Sequence, residues 1–374
     1  MRFIHTADWQ IGMKAVHVGS VGERVRQERL AAAGRVVDMA SQHGVDFILV
    51  AGDTFEDNAV ERLLVQKVGD ILGRFDGPVY LIPGNHDPLV PGSVWGHPVW
   101  NSHENLYVLK ESAAVEIPGG VLYPCPLHEK YSPSDPTSWI DAKSQDQIAV
   151  GLAHGTVEGV TDEPDYPIPR DAATRCDLDY LALGHWHSTA RYKNGSGAER
   201  MAYSGTHETT KFGERDSGNV LLVEINSRGE APKLASLRTG GLTWESLEDD
   251  IRDKGDLARL HERIETFPKP EATLLDAKLT GVLHPTDSAA LTHLDQLIQS
   301  RFLYGRLDRD GLRPQPEDEK WLDDLPSGVI RQLAGHLQDL SDRSYAGPRE
   351  EYATPEVATR AMMELYALVS EASE

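Results

Sequence analysis

Asp, Asn and His residues gather in five short runs of this 374-residue sequence: Asp8-Trp9-Gln10, Gly52-Asp53, Gly84-Asn85-His86-Asp87, His154-Gly155 and Gly184-His185-Trp186-His187. Carboxylate, amide and imidazole donors around a shared Asp suit two hard or borderline cations such as Mn²⁺. Two ions a few ångströms apart can hold both oxygens of an in-line phosphoryl displacement. Taken singly, each residue is ordinary. An Asp after a strand is commonly a turn former or a helix cap, and a lone His is commonly a satisfied core or surface group. Five such runs in one chain are what point to a site.

Each run ends a short apolar segment. The segments Phe3–His5, Asp46–Ala51, Val79–Ile82, Gln147–Ala153, Tyr180–Leu183 and Val220–Ile225 read as strands. Between the first two, Val25, Leu30, Ala33, Val36, Val37 and Ala40 recur at helical spacing within 23–42. Between the second and third, Val60, Leu64, Val68, Ile71, Leu72 and Phe75 form another helical face, stopped by Gly77-Pro78. This alternation predicts an α/β class fold, a layered core of β-sheets flanked by helices. In open α/β folds the ligand crevice lies at the carboxyl ends of strands, so the five runs should converge. If the chain stays extended there, Asp8 with Gln10, and His185 with His187, each face one side.

Further along, Leu275, Ala277, Leu279, Gly281 and Leu283 alternate with mostly polar residues. Leu291, Leu294, Leu297 and Ile298 mark a helix, and 303–308 alternates again, making a small β-α-β unit. Pro314-Gln315-Pro316 and the acidic run Glu317 to Glu319 read as a linker before two amphipathic helices, Val329 to Leu340 and Pro355 to about Val369. The expected domains are therefore 1–235, a small α+β cap over 236–315, and 316–374 as linker and C-terminal helices.

Composition removes several classes of function. The mean hydropathy of −0.41 and the lack of a long apolar run exclude a membrane helix. Cys125 and Cys176 are the only cysteines, so a disulfide framework is excluded and a cytoplasmic location is the expectation. No signal-peptide pattern is read at the N-terminus. The net charge of −22 argues against nucleic-acid binding through overall attraction. The acidity is no separate tail, because 27 acidic residues stand against 15 basic ones from 241 onward and 32 against 22 before. A phosphodiester substrate would need local cations.

The five runs resemble those of the calcineurin-like metallophosphoesterases. Their surroundings, Ile4 to Trp9, Ala51 to Phe55, Leu183 to His185 and Tyr203 to Thr206, are similar to the bacterial DNA nucleases of the SbcD type. The likeness covers about residues 1–225, and the rest only by layout. It implies one metal on Asp8, Gln10, Asp53 and His187, and a second on Asp53, Asn85, His154 and His185. It implies His86 as a catalytic histidine that is not a ligand, with Asp87 either orienting it or shaping the turn. It also implies two divalent ions, most readily Mn²⁺, DNA as substrate, an SMC-like ATPase partner of the SbcC type, and a homodimer. Where the family has Asp-x-His, this chain has Asp8-Trp9-Gln10, and an amide oxygen is a poorer donor for borderline metals. Two other readings follow: a phosphodiesterase or phosphatase acting on a small phosphoester, and a non-catalytic scaffold with a degraded site.

Other residues invite function. Cys125 near His128 suggests a nucleophile, but a buried structural thiol accounts for it. His207 and Glu208 are expected in a substrate groove or a turn. Lys14, Arg24, Lys211 and Arg215 are candidate phosphate contacts. Trp95 and Trp100 are candidate base-stacking rings or loop-core packing.

Overall fold

The computed structural model describes residues 1–374 except 162–164, 254, 315–320, 326–327 and 373–374. The acidic run at 317–319 lies outside the described residues. The chain divides into two compact units, 1–243 and 244–374.

The first unit runs β1 (Arg2–Thr6), α1 (Gly22–Gln42), β2 (Phe47–Ala51), α2 (Arg62–Leu72), β3 (Val79–Ile82), β4 (Leu106–Val108), β5 (Val115–Ile117) and β6 (Gly120–Pro124). It continues with β7 (Ile148–His154), α3 (Ala172–Arg175), β8 (Tyr180–Gly184), β9 (Ala190–Lys193), β10 (Glu199–Tyr203), β11 (Asn219–Glu224) and β12 (Lys233–Arg238). Two six-stranded sheets result, ordered β12-β11-β1-β2-β3-β4 and β5-β6-β7-β8-β10-β9. The central strands β1-β2-β3 and β6-β7-β8 pair in parallel. Every residue of β2, β3, β7 and β8 is buried, as expected of strands covered on both faces, which read as continuous apolar runs.

Three apolar layers hold this unit together. Val36, Val37, Val65 and Val68 of α1 and α2 pack on Ile4, Ile48 and Leu81 of the first sheet. Phe3, Phe47 and Leu221 of the first sheet meet Leu122, Val150 and Ala182 of the second. The far face of the second sheet is covered by Ile140, Ile168, Ala172 and Leu178. The result is a mixed α/β fold whose sheets are flanked by helical and loop layers, as expected. One position on α1 departs from its apolar pattern: Arg29, 1 % exposed, lies on the buried face.

The second unit contains β13 (Thr243–Ile251), α4 (Asp256–Glu265), β14 (Thr273–Leu283), α5 (Ser288–Arg301), β15 (Tyr304–Pro314), α6 (Trp321–Asp324), α7 (Val329–Ser341) and α8 (Pro355–Glu371). Its three strands form a sheet, β13-β14-β15, in which β14 and β15 are parallel. α4 and α5 cover it through Leu257, Leu260, Leu294 and Ile298. α8 starts where Thr354 precedes Pro355, and the Thr354 hydroxyl accepts the Val357 N–H at 3.3 Å. It packs on α7 and β15, burying Ala358 and Ala367 while Val357 and Leu368 stay exposed. Among the described residues no helix is long and apolar enough to cross a membrane.

Candidate metal centre

The carboxyl ends of β1, β2, β3, β7 and β8 lie together in the first unit, and each delivers its polar run there. Tight backbone makes this possible. Asp8, Gln10, Asp53 and His185 all adopt positive φ, of 55°, 41°, 50° and 112°. Such backbone is costly for residues other than Gly and concentrates at functional sites. It also corrects the extended-segment geometry expected of Asp8-Trp9-Gln10. The chain turns at both ends of Trp9, and that ring is buried on His207 with centroids 4.9 Å apart. Gly84 is required because a Cβ there would collide with the Asp53 carboxylate and backbone, and Gly52 because one would strike His154.

Asp8, Asp53 and His154, all buried, bring ligand atoms to within 4.8 Å of one another. Both Asp8 oxygens accept the His185 N–H, at 2.9 and 3.1 Å. Asp53 Oδ1 accepts the His86 N–H at 2.9 Å, while its Oδ2 lies 3.3 Å from His154 Nε2. Asn85 Oδ1 is 2.8 Å from His154 Nε2 and 3.2 Å from His185 Nδ1.

This donor set fits a cation. His154 Nδ1 is 2.8 Å from the Ala51 carbonyl, which can only accept, so the hydrogen sits on Nδ1. In a neutral ring Nε2 then turns a lone pair towards Asn85 Oδ1 and Asp53 Oδ2. Acceptors facing one another need either a proton or a cation between them. Without a cation the proton must serve: burial disfavours the imidazolium, but Asp53 outweighs it and lifts His154 to about 9. Burial likewise works against the Asp53 anion, and His154 outweighs it, holding the carboxyl at about 2. Burial raises Asp8 to about 6, with His154 and His187 opposing. Burial, with His154 close by, lowers His185 to about 4. A cation would favour the anions of both carboxylates and the neutral form of both imidazoles.

His187 stands beside a residue that no motif flags. Glu214, only 4 % exposed, accepts from His187 Nδ1 at 2.8 Å and from the Thr210 N–H at 2.7 Å, and also takes the Thr210 hydroxyl. In a neutral ring this fixes the hydrogen on Nδ1 and leaves the Nε2 lone pair free to ligate, as carboxylate partners of ligating histidines do. Burial opposes the His187 imidazolium, but Glu214 prevails and raises its pKa. Glu214 follows His187 by 27 residues with no recognisable spacing. Arg29 is a second residue the sequence does not flag: it donates to the Trp9 carbonyl from the buried face of α1 and steadies the turn that carries Asp8 and Gln10.

His86 and Gln10 form their own pair. His86 Nδ1 is 2.9 Å from the Glu56 carbonyl, so its Nε2 is the exchangeable position. The Gln10 amide nitrogen lies 3.5 Å from that Nε2. Asp87 does not orient His86. It is fully buried and accepts the N–H groups of Gly84 at 2.8 Å and Phe55 at 2.9 Å, tying the β3 turn to the β2 turn.

The remaining candidates resolve into structural and surface roles. His207 and Glu208 are fully buried, His207 Nε2 donating to the Arg29 carbonyl at 2.8 Å and Glu208 accepting the Gly241 N–H at 2.6 Å. They form a turn, not a groove wall. Cys125 is buried, and that burial pushes its thiol up to about 12, the opposite of a nucleophile. His128 is exposed. Trp95 and Trp100 pack on each other in the core, with centroids 5.4 Å apart. Lys211 lines a cleft beside His185 and His187, whereas Lys14 lines a separate one beside Glu56. Arg24 pairs with Glu28 at 3.4 Å, and Arg215 is exposed.

Residues 1–189 match the family described as calcineurin-like phosphoesterase. A Bacillus subtilis (strain 168) protein named as an uncharacterized metallophosphoesterase, YhaO, is 24 % identical over 287 residues, covering 72 % of this chain and 68 % of that protein. Among solved structures, TT1561 of Thermus thermophilus is 12 % identical with a TM-score of 0.43, covering 64 % of this chain and 98 % of that one. The calcineurin-like phosphoesterase YfkN from Bacillus subtilis is 11 % identical with a TM-score of 0.35, covering 64 % and 90 %. The matched segment makes up half of the chain, holds all five polar runs and ends just past His187: this chain belongs to the calcineurin-like phosphoesterases.

Proposed function

We propose that this chain is a metal-dependent DNA nuclease of the SbcD type. Asp8, Gln10, Asp53 and His187 would hold one divalent ion, and Asp53, Asn85, His154 and His185 the other, with Mn²⁺ as the first choice. The observation that carries phosphoester chemistry is the buried, acceptor-rich meeting of Asp53, His154 and Asn85 at the strand ends. The nuclease assignment rests on the sequence surroundings of the motifs and on the β-α-β unit followed by helices.

Divalent ions held there would supply positive charge to the phosphoryl oxygens and would help activate an attacking water. The chain's own residues do the rest. The Ala51 carbonyl and Glu214 hold the His154 and His187 rings in one tautomer. Glu56 keeps a hydrogen on His86 Nδ1, so His86 takes or gives a proton at Nε2, the atom on the Gln10 side, towards the leaving oxygen. An SMC-like ATPase is the proposed partner and a homodimer the proposed assembly.

A net charge of −22 favours a second reading, a phosphodiesterase or phosphatase for a small phosphoester. Cleavage of duplex DNA beside bis-p-nitrophenyl phosphate, each with and without Mn²⁺, decides between them. Mn²⁺-dependent cleavage of DNA is expected. Hydrolysis of the small ester alone supports the second reading, and neither activity leaves a scaffold.

A further inference from the structure

The sequence offers Trp95 and Trp100 as stacking rings, yet both are core, 1 % and 4 % exposed, whereas Trp186 is 39 % exposed. Trp186 sits between His185 and His187 and lines, with both of them, a cleft of about 790 Å³ that also takes in Phe212 and Lys211. Clefts of this size hold small ligands or parts of larger ones. Among the described residues the Trp186 indole has no hydrogen-bond partner and no adjoining ring. An isolated surface aromatic needs no explanation. This one forms part of the wall beside two proposed ligands, and its exposed part faces what enters the cleft. A flat apolar face would cover the exposed part of that ring, and Lys211 offers the cleft a cation beside the carboxylates of Asp165 and Glu214.

We propose that Trp186 is a stacking platform for an unpaired nucleobase next to the scissile phosphoester. The chain then favours single-stranded or frayed nucleotide ends over an intact duplex, whose bases keep their faces stacked. The inference rests on the phosphodiester reading above and narrows its substrate. It also supplies what a net charge of −22 withholds: base–aromatic stacking holds a strand by contact, and removing such a ring costs about 5- to 150-fold per base.

The test compares thymidine 5′-p-nitrophenyl phosphate with methyl p-nitrophenyl phosphate, which share a leaving group and differ in the base. The readout is the ratio of their kcat/KM values in the unmodified protein, Trp186→Phe and Trp186→Leu, with metal content measured in each. The Leu variant should lower the ratio about tenfold or more, and Phe should largely keep it. Quenching of indole fluorescence by a hexathymidylate gives a second readout that needs no turnover, and it should weaken in Trp186→Leu. A ratio and a quench both unchanged in Trp186→Leu overturn the proposal. So does a ratio that falls equally in Phe and Leu together with loss of metal, which marks a purely structural ring. If the unmodified protein spares oligonucleotides yet shows a Trp186-dependent ratio, the DNA reading fails while the platform stands.

Discussion

His86 and Asp53 are neighbours in space with different duties. His86 lends only its backbone N–H to Asp53 and turns its ring towards Glu56, whereas Asp53 is central to the buried donors. His86→Ala should therefore keep its metal and lose about a hundredfold or more in turnover. Asp53→Ala should lose metal outright. Elemental analysis of both purified variants checks this, and a metal-free His86→Ala would contradict the role given to His86. Gln10 carries the second expectation. An amide oxygen serves a borderline ion less well than an imidazole, and the Gln10 amide nitrogen lies within reach of His86. The Asp8/Gln10/His187 site should be the weaker of the two, and Gln10→His should bring the affinities together and raise cleavage at low Mn²⁺. Calorimetric titration of Mn²⁺ into both proteins would refute this by finding two equally tight sites unchanged by the substitution.

Among the elements, β8 depends on a carboxylate at its start. Asp179, fully buried, accepts the Ala149 and Gly229 N–H groups at 2.9 and 2.7 Å and pairs with Arg200 and Arg228 at 3.2 and 3.0 Å. It ties β7, β8 and β10 to the turn at 226–229, and so sets where β8 delivers His185. Asp179→Ala would leave the partly buried Arg200 with carbonyl partners alone, while Arg228 keeps Asp177 at 2.7 Å, and should cost about 3 kcal/mol. Urea unfolding at fixed pH measures it, and a loss below about 1 kcal/mol would place the hub's weight elsewhere. The legibility of the elements followed their length. β2 and β7 are continuous apolar runs and α1 and α2 carry helical stripes, so all four stand out in the sequence. β4 and β5 have three residues each, too few to show a period. β12 is an edge strand without alternation, its two leucines Leu234 and Leu237 standing three apart among exposed residues, and is easily taken for loop.

For the molecule as a whole, acid stability should follow His5. Its ring is enclosed between the Tyr180 hydroxyl and the Leu183 carbonyl, and burial lowers its pKa from 6.5 to about 3. The folded state therefore binds fewer protons than the unfolded one in that window. Stability from this group is intact above pH 6.5 and is lost as pH falls towards 3. Between pH 7 and 5 the loss is about 2 kcal/mol. His5→Gln, which cannot titrate, should shrink that part of the acid slope in urea unfolding at the two pH values, and an unchanged slope would count against it. The proposed site lies wholly within 1–243, while α8 lies in 244–374. Deleting residues from 354 onward should spare Mn²⁺-dependent cleavage while abolishing association with the proposed ATPase partner. An insoluble truncated chain would instead make α8 part of its own unit's core, consistent with the buried Ala358 and Ala367.

The sequence by itself determined the strand-end placement of Asp8, Asp53, Asn85, His86, His154, His185 and His187, because an apolar run ended by Gly, Asp or His is a local feature. It determined the layered α/β class for the same reason. Only the tertiary structure decided what each ring faces. The Ala51 carbonyl reaches His154 across 103 residues, Glu214 reaches His187 across 27, and Glu56 reaches His86 across 30. Only the fold, too, put Arg29 inside, Asp87 on backbone rather than on His86, and Trp186 rather than Trp95 or Trp100 at the opening of the cleft. Hydrogen-bond partners are chosen by proximity in space, and a carbonyl or a lone carboxylate leaves no periodic trace in the chain that supplies it.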